Sequence, residues 1–150
     1  MPRYEKTELL QRAGMTIDAI VKGLEDVDAE ARKKIMERSG EACALYGSLP
    51  IAKRIAEETT DLDEILTRAN DEIPWCGKWE REGDSISATC HDCGCPLVQN
   101  EVVNLTGTFC YCSVGWVRTI FKTLLRRPVE VELEKAIGLG DDMCKYNVDF

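Results

Sequence analysis

The sequence lacks an apolar run long enough to cross a membrane. A membrane-spanning helix needs about 20 consecutive, predominantly apolar residues, and no stretch of the 150 residues approaches that length. The first residues also lack the apolar segment of a secretory signal. We therefore expect a cytoplasmic protein that has no membrane partner.

Positive charge is scarce relative to negative charge. The chain has 19 Lys and Arg residues against 27 Asp and Glu residues, and its formal net charge is −8. An acidic surface repels the phosphates of nucleic acids and anionic lipids. This balance argues against nucleic acid as a partner.

The signatures of several common enzyme classes are also missing. His91 is the only histidine, and nothing in the sequence supports a Ser–His–Asp triad built on it. Gly138 and Gly140 fall in a predicted hairpin turn rather than between a strand and a helix, so they do not form a phosphate-binding loop. Because no repeat or low-complexity linker interrupts the chain, we expect one domain over residues 1–150.

Hydrophobic periodicity divides that domain into two halves. Residues 1–73 carry apolar side chains at three- and four-residue steps, which predicts helices. Asp28 is a predicted N-cap, Ser48 begins a further helix, and the last helix of this half ends before Pro74. Residues 74–150 form a cysteine-rich α+β half.

The second half predicts mostly strands and one long helix. We expect a loop over 74–84, a strand over 85–90, and a strand pair near 101–105 and 108–111. A long helix follows Ser113, and a hairpin of two alternating strands ends the chain. The predicted fold class is α+β, with N-terminal helices packed on a C-terminal antiparallel sheet that carries one long helix.

Thiols are abundant. Eight cysteines occur, and five of them fall within 23 residues: Cys90, Cys93, Cys95, Cys110 and Cys112. Because cytosolic thiols are kept reduced, we do not expect disulfides. Four thiolates suit a tetrahedral zinc site, and two Cys-x-Cys units supply two ligands each.

We therefore predict zinc held mainly by Cys93, Cys95, Cys110 and Cys112, with Cys90 as the replacement ligand. An iron–sulfur cluster uses the same ligand type and is the alternative ion. Buried free cysteines that pack as small hydrophobic groups remain another interpretation. That interpretation fits Cys43 better than the cluster, and it leaves Cys76 undecided.

Cys112 also suggests catalysis. It lies at the predicted start of the long helix, where the helix dipole lowers the pKa of a thiol. Cys112 could then be a nucleophile with His91 as its proton-transfer partner, although His91 fits equally well as a metal ligand or an exposed loop residue. Redox sensing by paired cysteines is a third hypothesis.

The last third resembles a known family. Its segments are Cys112-Ser-Val-Gly-Trp, then Arg126-Arg-Pro-Val, and a glycine-containing hairpin that ends at Cys144. Together they resemble the C-terminal half of the 4-vinyl reductase domain family. The Cys93-Gly-Cys-Pro and Cys110-x-Cys-Ser-x-Gly-Trp elements also resemble bacterial proteins similar to L-2-amino-thiazoline-4-carboxylic acid hydrolase.

The first resemblance implies an α+β domain, often dimeric, with a zinc site beside a pocket for a small apolar or heterocyclic ligand. The family's zinc ligands would fall on Cys112 and Cys144, whereas its third cysteine position is Ala136 here. The site would therefore be rebuilt from the extra cysteines between 90 and 110. The second resemblance implies instead a cysteine- or metal-dependent hydrolase of a small cyclic amidine or amide.

Overall fold

A computed structural model describes residues 4–150. The first half of the chain is helical and begins with a long amphipathic helix. Four helices form this half: α1 (Lys6–Gly23), α2 (Ala29–Ala44), α3 (Ser48–Glu58) and α4 (Leu62–Glu72). Within the described residues, none of the helices combines the length and apolarity needed to cross a bilayer.

The predicted ends of these helices are largely confirmed. The Asp28 side chain accepts a hydrogen bond from the Ala31 amide at 3.0 Å and so caps α2. Helix α3 begins at Ser48, as predicted. The extended backbone of Ile73 ends α4 just before Pro74.

The second half contains an antiparallel sheet and three helices. The strands are β1 (Lys78–Glu82), β2 (Ser85–Cys90), β3 (Glu130–Lys135) and β4 (Cys144–Asp149), in the spatial order β1-β2-β4-β3. The helices are α5 (Pro96–Gln99), α6 (Gly107–Cys110) and α7 (Cys112–Leu125). The α+β class, with helices packed on this sheet, is confirmed.

Three local predictions were wrong. Residues 101–105, predicted as a strand, form a turn and irregular chain instead. Residues 107–110 form a helix rather than a strand, because the Thr106 hydroxyl accepts a hydrogen bond from the Phe109 amide at 3.1 Å and caps α6. Strand β1 replaces part of the predicted loop. It pairs with β2, and the Asn70 side chain of α4 bonds both backbone groups of Trp79, at 2.8 and 2.9 Å.

Apolar side chains form two separate clusters. The main core lies between the sheet and helices α3, α4 and α7. Its buried members are Ala44, Ala52, Ile55, Ile65, Leu66, Ala69, Ile73, Trp79, Ile86, Ala88, Cys90, Val117, Ile120, Phe121, Leu124, Val129, Cys144, Tyr146 and Val148. The minor core, beneath α1, is much smaller, and its buried members are Val21, Leu24, Met36, Val103 and Phe109.

Helices α2 and α7 cross at two glycines. A Cβ atom on Gly40 would overlap the carbonyl oxygen of Cys112, and one on Gly115 would overlap the carbonyl oxygen of Glu37. An ion pair between Arg118 and Glu37, at 2.8 Å, joins the same two helices. This close crossing positions Cys43, one turn beyond Gly40, next to the start of α7.

Candidate functional site

A cavity of about 560 Å³ lies where the main core meets the minor core. Its walls come from α2, α7, β4, the segment that joins α4 to β1, and the chain between β2 and α7. None of the described residues that line it is an Asp, Glu, Lys, Arg or His. In a chain with 31% charged residues, such a lining favours uncharged contents.

Aromatic side chains form the wall nearest the main core. The rings of Trp75 and Trp116 stack with their centroids 4.6 Å apart, and Trp79 also stacks with Trp75, at 5.2 Å. The Tyr146 ring meets Trp75 edge-on at 5.5 Å. Trp75, Trp116 and Tyr146 line the cavity, so this wall is a rigid, mostly apolar surface.

The opposite wall is built from the segment that leads into α7. Leu97, Leu105 and Phe109 contribute its apolar side chains. Phe109 also belongs to the minor core, and Leu97 packs against that core. The two walls of the cavity therefore rest on different cores.

Two hydroxyl groups of the lining, those of Tyr146 and Ser113, form a short hydrogen-bond chain. The Tyr146 hydroxyl donates to the Ser113 hydroxyl at 3.0 Å, which in turn donates to the Cys110 carbonyl at 2.6 Å. Burial raises the pKa of Tyr146, so its side chain is a neutral phenol at physiological pH. These hydroxyls supply polar groups without charge.

The cavity collects the free thiols of the described chain. Six line it: Cys43, Cys93, Cys95, Cys110, Cys112 and Cys144. The four predicted zinc ligands are thus brought to one place, and two thiols from distant elements join them. Sequence reasoning assigned Cys43 to core packing, but this residue is exposed and lines the cavity.

Most of these thiols are held in the neutral form. Burial raises the pKa of Cys110 to about 11 and also raises the pKa values of Cys93 and Cys112, and a partial loss of solvent raises the pKa of Cys43. The predicted lowering of the Cys112 pKa is therefore wrong. Helix α7 follows almost directly on α6, so the start of α7 is not an exposed helix end, and loss of solvent is the largest influence on Cys112.

Cys76 and Cys90 form a disulfide with a Cα–Cα distance of 5.3 Å. This pairing corrects the expectation that the cysteines are all reduced. It also removes Cys90 as a replacement zinc ligand, because a sulfur in a disulfide offers no thiolate. The pairing depends on strand β2 lying beside the chain that leads out of α4, which local sequence does not reveal.

The remaining predicted groups are not assembled into a metal or catalytic site. Across residues 4–150, no three His, Cys, Asp or Glu side chains come together in an arrangement that could hold a metal ion. His91 is exposed and lies outside the cavity lining. Zinc, an iron–sulfur cluster and the Cys112–His91 pair therefore stay predictions.

Comparison with known proteins gives a family but no activity. Residues 7–149 match a family of unknown function, DUF6144. No curated protein matches the chain. The predicted resemblance to amino-thiazoline hydrolases stays a prediction.

Two solved structures share the fold. One is a trafficking protein particle complex subunit 3 from Naegleria fowleri covalently bound to palmitic acid, with 14% identity, a TM-score of 0.58, and coverage of 96% of each chain. The other is the phenol-responsive sensory domain of the transcription activator PoxR with phenol. It has 14% identity, a TM-score of 0.56, and coverage of 89% of this chain and 72% of that chain.

A vinyl-4-reductase family protein from Methanocaldococcus jannaschii is more distant. Its identity is 12% and its TM-score is 0.38, over 99% of this chain and 83% of that chain. This is the family whose motifs the last third of the sequence resembles.

Proposed function

This chain belongs to DUF6144, a family of unknown function, and from the geometry of its site we propose that it binds a small, uncharged, largely apolar molecule. The ligand lies in the cavity between the main core and the minor core. One observation carries this proposal: a cavity of about 560 Å³ whose described lining residues include no charged side chain.

The size and chemistry of the cavity support a small-molecule ligand. Ligand pockets typically have volumes of about 300–1,000 Å³ and are mostly apolar, with a few polar groups that fix orientation. Here the Trp75–Trp116 stack offers a flat apolar surface, and the Ser113 and Tyr146 hydroxyls offer polar contacts. An ionised ligand would lose its hydration without gaining a counter-charge, which is costly.

The two proteins that share the fold support the same class of ligand. One is bound to palmitic acid and the other to phenol, and both ligands are largely apolar. The lack of a charged partner in this cavity favours a neutral ligand of the phenol type over a carboxylate.

Calorimetric titration with phenol and with benzoate tests the proposal, since the two probes share a ring but differ in charge. We expect phenol to bind at least about tenfold more tightly at neutral pH, because benzoate would bury an unpaired charge. Equal affinities, or tighter binding of benzoate, would contradict the proposal.

Two variants test whether the bound phenol lies in the cavity. Leu105→Trp adds bulk to a lining residue and should abolish phenol binding. Leu45→Trp makes the same substitution at a position that is 63% exposed and outside the lining, so it should leave binding unchanged. Phenol binding that survives Leu105→Trp would show that the ligand lies elsewhere.

A further inference from the structure

The Cys76–Cys90 disulfide lies at the edge of the cavity with its two sulfurs in different surroundings. Cys76 is half-buried and lines the cavity. Cys90 is 0% exposed and is part of the main core. A molecule inside the cavity can therefore approach one end of the disulfide only.

We propose that the cavity is a thiol-exchange site, at which a small uncharged thiol forms a mixed disulfide with Cys76. The proposal rests on the proposed function, because the thiol must first enter the same cavity. It identifies the class of molecule, a neutral thiol with an apolar body, and the protein atom that reacts with it.

The reaction needs no component beyond the disulfide and the incoming thiol. The thiolate of the small molecule attacks the Sγ atom of Cys76, and a new sulfur–sulfur bond forms as the bond to Cys90 breaks. Cys90 leaves as a thiolate and takes up the proton that the small thiol released. The disulfide oxidation level is conserved, because one disulfide and one thiol are present before and after the step.

One side of the Cys76 side chain is closely packed by the protein itself. A Cβ atom on Gly94 would lie 2.6 Å from the Cβ of Cys76 and 2.7 Å from its Sγ. The backbone at Gly94 thus packs directly against the disulfide on one side. The neighbouring aromatic wall, formed by Trp75, Trp116 and Tyr146, supplies an apolar surface for the body of the thiol.

A second thiol, that of Cys144, lies beside Cys90, which the exchange releases as a free thiol. Strand pairing places Cys144 directly opposite Cys90, and directly paired residues point to the same face of a sheet. Cys144 is 6% exposed and also lines the cavity. A competing exchange is therefore an attack of Cys144 on Cys90, which would give a Cys90–Cys144 disulfide and carry no adduct from solution.

Phenylmethanethiol at neutral pH under oxygen-free conditions tests the proposal, because it carries the ring of phenol, is mostly an uncharged thiol in solution, and can exchange. Without an oxidant, free cysteines cannot form mixed disulfides with it directly. Samples are quenched with acid over time and mapped by peptide mass spectrometry. We expect the first adduct on Cys76, together with a newly free thiol at Cys90. A first adduct on Cys90, or a Cys90–Cys144 disulfide without an adduct, overturns the proposal.

Two controls connect the reaction to the cavity. Mercaptoethanesulfonate, an alkyl thiol that carries a fixed negative charge, should react at least about tenfold more slowly than phenylmethanethiol once thiolate concentrations are matched. Leu105→Trp should slow the phenylmethanethiol reaction to a similar degree, whereas Leu45→Trp should not. Equal rates in the two variants would overturn the proposal.

Phenol binding separates the two proposals. If phenol binds and phenylmethanethiol leaves the disulfide intact, thiol exchange is wrong and the ligand-binding proposal stands. If phenol fails to bind and phenylmethanethiol reacts at the same rate in all variants, both are wrong.

Discussion

The main core and the minor core differ in what holds them together. The main core joins all four strands to three helices, and several of its large side chains, including Phe121 and Ile55, are 0% exposed. The minor core has five buried members, and much of the chain around it is irregular or in one-turn helices. One wall of the cavity rests on the main core, and the other rests on the minor core.

This difference means that the two walls of the site differ in stability. Local opening is easiest where few apolar contacts and many exposed backbone hydrogen bonds hold a segment. The aromatic wall on the main core should therefore stay fixed while the wall on the minor core moves to admit a ligand.

The largest expected effect is the loss of a ring from the main core. Phe121→Ala removes a 0% exposed side chain that meets Trp79 edge-on at 4.6 Å. It should lower the free energy of unfolding by about 3–5 kcal/mol. Phe109→Ala, the matched change in the minor core, should cost about 2 kcal/mol because part of that ring faces the cavity.

Urea unfolding of both variants measures this difference, and phenol titration measures the site. Phe109→Ala should weaken phenol binding although it costs less stability. If the two substitutions cost the same free energy of unfolding, the two cores are equally well packed and the proposed contrast between the walls is wrong.

A smaller effect is expected where α2 crosses α7 between the two cores. Gly40→Ala puts a methyl group onto the Cys112 carbonyl oxygen, so the helices must separate, at a cost of about 1–3 kcal/mol. Gly23→Ala is the matched control, since nothing lies within 4 Å of a Cβ at that position. The control should be neutral or stabilising by up to about 1 kcal/mol.

Thermal unfolding distinguishes these variants by the direction of the change in Tm. Gly40→Ala should also alter the reactivity of Cys43 and Cys112 toward alkylation, because both thiols lie beside the crossing. A Gly40→Ala variant as stable as the parent protein would show that the crossing adjusts at no cost.

The features that the sequence predicted correctly are those that depend on neighbouring residues. Asp28 caps α2 because its side chain reaches an amide three residues away. The predicted hairpin of two alternating strands at the end of the chain is confirmed by β3 and β4, and buried residues alternate with less buried ones along β4. In contrast, β1 exists because it pairs with β2 and receives two hydrogen bonds from Asn70, and neither contact is visible in a local window.

The site was predictable only in part for the same reason. The short spacing of Cys93, Cys95, Cys110 and Cys112 predicts that they lie in one region, and all four line the same cavity. Cys43 joins them through the crossing of α2 and α7 at Gly40. The Cys76–Cys90 disulfide depends on tertiary placement, and burial outweighs the helix-end influence expected for Cys112.

The smallest expected effect concerns the attachment of α1 to the minor core. The Asp18 carboxylate accepts hydrogen bonds from the Asn104 amide at 3.0 Å and from the Asn104 side chain at 2.6 Å. Because these bonds are exposed, Asp18→Ala should lower the free energy of unfolding by only about 1 kcal/mol. Glu8→Ala, which removes an ion pair within α1, is the control.

Hydrogen exchange is the informative measurement for Asp18→Ala. If the minor core opens independently, amide exchange should increase in α1 and around Asn104, while exchange in β2 and β4 stays at the parental rate. The control should change exchange only near its own turn of α1. A uniform increase over the whole chain would mean that the two cores unfold as one cooperative unit, and the minor-core wall could then not open by itself to admit a ligand.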